Sequence, residues 1–308
     1  MLLLTPQYWN DYELIDCGNF EKLERFGNYF TIRPEPQAIW SKHLSEAEWE
    51  KIAHVRFIPK SSSAGIWKKL KEMPDRWQIS YKVDRQTDVP PESKKEKLLQ
   101  LKLSLTSFKH VGVFPEQAVN WDYIYESIHK LNTTLPSTQE KERIKFLNLF
   151  AYTGAASLAA KAAGADVTHL DSIKQVVSWA RENMELSRLT DIRWLVEDAL
   201  KFVKREVKRG NKYHGIILDP PAYGNGPDGE KWKLEDNIQE MMQLVLQLLD
   251  EKKHFLILNA YSLGFSPLVI ENMLQSFAKK NLETGELYLQ SKSNMKLPLG
   301  VFGRFRNF

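Results

Sequence analysis

From Ile144 onward, apolar runs of strand length alternate with segments whose apolar residues recur at helical spacing. The pattern predicts strands at Ile144–Phe150, Asp166–Asp171, Ile192–Val196, Tyr213–Asp219 and Phe255–Asn259. Between them it predicts helices at Gly154–Ala163, Ile173–Leu186, Ala199–Lys208, Leu234–Leu249 and, after the fifth strand, Pro267–Lys279. Two further strands near Glu286–Ser291 and Val301–Phe305 bring the expected sheet to seven. Strands that are apolar throughout are buried on both faces. Repeated β-α units of this kind imply a doubly wound, mostly parallel α/β sheet with helices on both sides. Such sheets bind ligands at the carboxyl ends of their strands, near the switch in strand order.

Before Ile144 the pattern differs. Tyr12–Asp16 reads as a short strand. Leu23–Phe26 and Tyr29–Arg33, joined at Gly27-Asn28, read as a hairpin, and Trp77–Val83 alternates in the same way. Residues 1–83 are therefore expected to form a small β-rich N-terminal domain. Residues 84–97 are polar, with Pro90-Pro91 and a lysine run, and are expected to be a linker. The remaining 98–308 forms the second domain, with its core at 144–308. Leu99–Ser107 alternates as a strand, and Glu116–Lys130 has helical spacing with Pro115 at its start.

Composition narrows the class. The chain has 308 residues, 43% of them hydrophobic, enough for one large domain or two ordinary ones. No apolar run approaches the roughly 20 residues that span a bilayer, and the Met1–Pro6 start is too short for a secretory signal. The expectation is a soluble, cytoplasmic protein with no membrane partner. A single cysteine, Cys17, excludes an internal disulfide framework, and the seven histidines show no metal-ligand spacing, so no metal is expected. The net charge of +4 permits an anionic partner such as RNA without demanding one. The sequence does not set an oligomeric state.

Four stretches carry candidate chemistry. In Phe146-Leu147-Asn148-Leu149-Phe150-Ala151-Tyr152-Thr153-Gly154, a buried strand runs into a turn of mostly small residues and opens a helix. Such a start offers free N–H groups to a ligand, although an ordinary strand-to-helix turn has the same pattern. The single glycine and the absence of GxGxxG argue against a dinucleotide fingerprint. Asp171 ends the next strand about 20 residues on, where a carboxylate can accept from ribose hydroxyls or cap the following helix. Glu197-Asp198-Ala199 follows the third strand and can touch a cofactor's base or cap a helix. The most specific stretch is Gly215–Gly224, an apolar strand ending in Asp219-Pro220-Pro221-Ala222-Tyr223. Two prolines cannot continue a ladder, so the strand stops in a stiff edge of acceptors with an aromatic ring beside it.

These residues resemble the class I S-adenosylmethionine (SAM)-dependent methyltransferases. LFAYTGAASLAA, HLDSIKQVVSWARENMELS, EDALKFV and ILDPPAYG are most similar to bacterial large-subunit ribosomal-RNA methyltransferase-like proteins with a DPP-x-aromatic motif. The resemblance covers about residues 107–308 and extends weakly to LERFGNYFTIRPEPQAIW. It implies a Rossmann-like sheet with SAM as cofactor. Phe150, Ala151, Tyr152, Thr153 and Gly154 would lie against its methionine and ribose, with Asn148 on the strand below. Asp171 would bind the ribose hydroxyls, with Ser172 next to the adenosine, and Asp198 and Ala199 would lie by the adenine. Asp219, Pro220, Pro221 and Tyr223 would line the methyl-acceptor site, with Asp219 also touching the cofactor. Lys109, Phe114 and Gln117 would fold over the cofactor. The turn departs from the family pattern in having Tyr152-Thr153-Gly154 in place of a denser glycine run.

SAM carries an activated methyl, so such an enzyme mainly aligns donor and acceptor and excludes water. Methylation of cytosine carbon needs a cysteine nucleophile. The segment after the fifth strand, Asn259–Gly264, has none. The leading expectation is methylation of a base nitrogen in RNA, with the N-terminal domain helping to dock it. The alternatives are a methyltransferase for a protein amide or small molecule, and a nucleotide or NAD(P) module without methyl transfer. The run Lys201, Lys204, Arg205, Lys208 and Arg209 is either a phosphate contact or a solvated helix face. Trp67, Lys68, Lys69 and Lys71 are expected to be a packed ring among exposed lysines rather than an RNA surface, and Arg304 and Arg306 part of a half-buried final strand.

Overall fold

The computed structural model describes residues 1–61, 64–84, 97–134, 143–261, 264–278 and 281–308. Most of the expected linker therefore lies outside the described residues, as do Ser262, Leu263 and Lys279. The first part of the chain holds β1 (Leu2–Leu4), β2 (Tyr12–Gly18), β3 (Glu21–Phe26), β4 (Tyr29–Pro34), α1 (Glu46–Ile52), β5 (Val55–Pro59), β6 (Gly65–Lys69), β7 (Arg76–Lys82) and β8 (Leu98–Ser104). A 3-10 turn at Pro115–Gln117 leads into α2 (Ala118–Thr134). Then follow β9 (Lys145–Leu149), α3 (Ala155–Ala162), β10 (Asp166–Asp171), α4 (Lys174–Leu186), β11 (Ile192–Val196), α5 (Ala199–Lys208) and β12 (Gly215–Leu218). The chain closes with β13 (Tyr223–Asn225), β14 (Lys231–Lys233), α6 (Leu234–Gln247), β15 (Phe255–Ala260), α7 (Pro267–Leu274), β16 (Glu283–Gln290) and β17 (Lys296–Arg306).

The seven expected strands form one sheet in the order β16-β17-β15-β12-β9-β10-β11, and β1 adds an eighth at the β16 edge. Pairing is parallel except at β17, which runs antiparallel to both β15 and β16. The strand order reverses at β9, whose neighbours are β10 and β12, so the switch point lies at the Phe150 turn. One face of the sheet buries Leu147, Leu149, Ile216 and Leu258 against α5 and α6. On the other face, Phe146, Ile217 and Ile257 share a core with α2, α3, the β7–β8 pair, Trp9, and Tyr12 and Phe26 of β2 and β3.

Strands β2 to β6 form a separate five-stranded sheet. Its β3–β4 hairpin turns at Gly27-Asn28 with Phe26 opposite Tyr29, as the sequence predicts. Strand β8 is bound to the second part of the chain through α4: Lys102 N–H donates to Asn183 Oδ1 at 2.8 Å and Gln100 N–H to Ser187 Oγ at 2.9 Å. These bonds satisfy an edge that would otherwise expose its ladder groups. Trp67 is packed on Phe57, and its indole donates to the Thr106 carbonyl at 2.7 Å. Among the described residues no helix is long and apolar enough to cross a membrane.

Candidate active site

Leu149 of β9 and Leu218 of β12 are register partners, so Phe150 and Asp219 leave the sheet side by side. The loop that begins at Phe150 turns sharply. Phe150 (φ 56°), Tyr152 (φ 49°) and Gly154 (φ 89°) are all left-handed, which is uncommon for the two residues that carry side chains. At Gly154 the glycine is required twice over: its φ is positive, and a Cβ would sit 3.0 Å from Ala180 Cβ. Helix α3 then starts without a side-chain cap. Its first N–H groups are thus free for a ligand.

Asp171, at the end of β10, holds this turn in place. Its carboxylate accepts from Tyr152 N–H at 2.9 Å and from Ile173 N–H at 3.0 Å. The sequence left ribose binding and helix capping open, and the carboxylate does bond the backbone at the start of α4. Further lone pairs on the two oxygens remain for a ligand. Burial raises the Asp171 carboxyl above its ordinary range, while the backbone N–H bonds pull the other way. A strap crosses the turn: Thr153 Oγ1 donates to Gly112 O at 2.6 Å, and the Phe114 ring lies 5.1 Å from the Tyr152 ring. Gly112 has no room for a side chain, since a Cβ would meet Trp179 at 2.3 Å.

After Asp219 the chain forms the β13–β14 hairpin, which the sequence did not suggest. Its Trp232 packs on Phe150, with centroids 4.9 Å apart, and donates its indole N–H to Pro221 O at 2.8 Å. Pro220 is buried and Pro221 exposed, and Tyr223 stands 69% exposed on the hairpin. Of the expected acceptors, the Pro221 carbonyl is already engaged by Trp232.

Phe114, Gln117, Asn148, Phe150, Ala151, Tyr152, Thr153, Gly154 and Asp219 converge on one narrow hollow of about 50 Å³. Val113, Trp121 and Ile217, which the sequence did not single out, complete its walls. Asn148 spends its amide on Ser157 Oγ at 2.9 Å. Gln117 Oε1 accepts from Asn259 at 3.0 Å and Asn120 at 2.9 Å, which ties the strap to β15 and α2. Burial pushes the Asp219 carboxyl up to about 7. Burial also raises Glu116 to about 7, against the pull of Lys22 and with the help of Asp219 and Glu35.

The remaining predicted residues lie outside the hollow. Asp171 and Ser172 end β10, next along the sheet. Asp198 caps α5 by accepting from Lys201 N–H at 2.8 Å, and Ala199 is buried behind it. Lys109 reaches the other way, toward Pro34 O at 3.4 Å. Asp198 borders a wider groove of about 460 Å³ between α5 and the hairpin. The cations of α5 there are partly neutralised: Lys201 faces Asp228, Lys204 faces Glu240 and Arg205 forks onto Glu197. No cluster of potential metal ligands occurs among the described residues.

A doubly wound sheet with strand order reversing at β9, a strained turn there and a carboxylate on the neighbouring strand is the frame of a protein that binds a nucleoside cofactor. Comparison with known proteins makes this specific. The SAM-dependent methyltransferase from Agrobacterium tumefaciens is 33% identical, with a TM-score of 0.86 over 99% of this chain and 93% of that one. The chain belongs to the SAM-dependent methyltransferases, whose cofactor and methyl donor is S-adenosylmethionine. Residues 130–260 match the family described as Conserved hypothetical protein 95. Ribosomal RNA large subunit methyltransferase K/L from Shewanella frigidimarina is 30% identical over 164 residues, 52% of this chain and 21% of that protein. Its namesake from Shewanella oneidensis is 28% identical over 209 residues, 65% of this chain and 25% of that protein. The matches thus span only a fifth to a quarter of these curated relatives' length.

Proposed function

We propose that the protein methylates a base nitrogen in RNA, of ribosomal kind, with SAM as donor. The observation that carries this reading is the convergence of the Phe150–Gly154 turn and Asp219 on one hollow at adjacent strand ends. The relatives named as ribosomal RNA methyltransferases support the substrate class.

The residues fit the cofactor. The uncapped start of α3 and the close approach allowed by Gly154 suit the methionine and ribose along Phe150–Gly154. Asp171 keeps lone pairs for the ribose hydroxyls, with Ser172 beside the adenosine and Asp198 and Ala199 toward the adenine. Lys109, Phe114 and Gln117 belong to the strap that would cover it, and Asn148 to the floor. A carboxyl-lined hollow also suits a sulfonium. Bound there, the cofactor supplies a methyl already activated for in-line transfer.

The chain's own part is positioning and proton handling. Asp219 accepts the N–H of the acceptor and, in its ionised form, takes up the proton that nitrogen methylation releases. Pro220 and Pro221 hold that carboxylate rigidly, and Tyr223 offers an exposed ring for stacking. The route to a base carbon lacks its nucleophile: Cys17, the single cysteine, is buried in β2, and burial raises its thiol to about 11. The test is a comparison of RNA nucleosides from cells with and without the gene, by mass spectrometry. One N-methylated nucleoside should disappear, and Asp219→Ala should fail to restore it. Loss of a carbon-methylated nucleoside would overturn the nitrogen assignment, and an unchanged profile would overturn RNA as substrate.

A further inference from the structure

The N-terminal sheet reaches the acceptor side of the site. Tyr261 follows β15, the neighbour of β12, and its hydroxyl donates to Glu35 Oε1 at 2.9 Å. Glu35 is buried, with Lys22 Nζ 3.4 Å from its second oxygen, and Lys22 is buried as well. Lys109 donates to the carbonyl of the preceding Pro34. A polar floor made by β3 and the end of β4 thus abuts the strand next to Asp219.

Beside this floor, several large side chains are exposed among the described residues. Phe20 is 59% exposed, Ile39 71%, Phe108 54% and Tyr261 43%. They are fastened to the same backbone. Phe20 O accepts Glu35 N–H at 2.7 Å, and Phe20 N–H donates to Ala38 O at 2.8 Å. Asn19 and Phe20 both hold left-handed φ, 50° and 63°, although neither is glycine. They are the two central residues of the β2–β3 hairpin turn, whose geometry requires positive φ at both, and the turn presents the Phe20 ring to solvent. Exposed apolar surface gathered around buried polar groups marks a binding face.

The occupant that matches is an unstacked nucleobase. Its π-face suits the exposed rings, and stacking on them needs no particular base. We propose that the Asn19–Phe20 turn and residues Pro34–Ile39 form the acceptor wall of the transfer site, stacking an RNA base on Phe20 and Tyr261 over a floor that the buried Lys22–Glu35 pair holds in place. This deepens the RNA-methylation reading and rests on it. It makes the N-terminal sheet part of the site, rather than a remote handle for the substrate.

The test uses the full chain with S-adenosylhomocysteine present and a fluorescein-labelled, mixed-sequence single-stranded RNA of about ten nucleotides, read by anisotropy. Phe20→Ala should weaken RNA binding about ten-fold, and Phe20→Tyr should restore it. An abasic strand of the same length should bind weakly and be indifferent to Phe20→Ala. Calorimetry should find S-adenosylhomocysteine bound equally well by wild type and Phe20→Ala. RNA affinity that is absent in the wild type, unchanged in Phe20→Ala, or equally Phe20-dependent on the abasic strand would overturn the wall. Wild-type protein that ignores S-adenosylhomocysteine but still binds RNA through Phe20 would refute the RNA-methylation reading and with it the acceptor wall, and leave only a base-stacking face.

Discussion

Trp232 packs against Phe150 with ring centroids 4.9 Å apart, and this contact joins the Asp-Pro-Pro corner to the turn after β9. The two stretches are far apart in sequence, and adjacent strand ends alone would leave their loops free to diverge. The indole adds a hydrogen bond to Pro221 O, so one side chain sets both the spacing and the angle of the corner.

Trp232→Phe should therefore separate these roles. The ring remains but the N–H is lost, so the Pro221 carbonyl loses its indole partner. A stability loss of about 1 kcal/mol is expected, with a fall in methyl transfer out of proportion to it. Trp232→Ala, which empties a site only 5% exposed, should cost about 3 kcal/mol. Thermal melts and single-turnover assays would check both.

Gly154→Ala places a methyl 3.0 Å from Ala180 Cβ in a backbone with φ +89°. A loss of about 1–2 kcal/mol in stability is expected from strain alone. The larger effect should be on the turn's shape, with affinity for S-adenosylhomocysteine reduced by about ten-fold or more in calorimetry.

Asp219 gives a signed pH dependence. Its native carboxyl is raised to about 7 from an ordinary 3.8, so the folded state holds the proton more tightly than the unfolded state. The stability this contributes is complete below the ordinary value and is lost as pH rises through about 7. Asp219→Asn should flatten that decline in melts taken between about pH 4 and pH 8. In the wild type kcat/KM should rise as the carboxylate forms near 7, whereas the variant should be slower by about a hundred-fold and lack that rise.

Arg33 forks onto Glu24 at 2.8 Å through both Nε and Nη2, and both side chains are buried. Burial works to lower the Arg33 pKa, but Glu24 outweighs it and raises the guanidinium. Removing one partner strands the other charge, so Arg33→Ala should cost about 3–5 kcal/mol. Arg33 Nη1 also donates to Lys109 O at 3.3 Å. The variant should thus loosen the strap over the Phe150 turn as well, seen as faster amide exchange at residues 109–114.

What the sequence made legible follows from where the signal is local. Strands β9, β10, β11, β12 and β15 are largely apolar runs between helices, and each is long enough to stand out. The Asp-Pro-Pro stop was visible because two prolines leave few options. The left-handed turn at Phe150 and Tyr152 was not, since only glycine advertises positive φ. Nor was the β13–β14 hairpin, whose polar residues look like a loop until Trp232 is seen on Phe150. Asp171 was read as binding either ribose or backbone; it bonds the backbone twice and keeps capacity for the other role. Lys22, on β3, and Glu35, just past β4, escaped notice because charged residues in and beside short strands normally face water. Their importance depends on Tyr261, which lies 226 positions from Glu35.

Gly285 allows β1 to lie along β16: a Cβ there would strike Leu2 O at 1.8 Å. The polypeptide is consequently stitched into the catalytic sheet before it enters the N-terminal strands, and stitched again through β8 and α4 after leaving them. A module moored at two points cannot pivot as one hung from a single tether does. Whatever settles on its face is carried at a set distance from the turn after β9, so reach is built into the scaffold and does not have to be found by swinging.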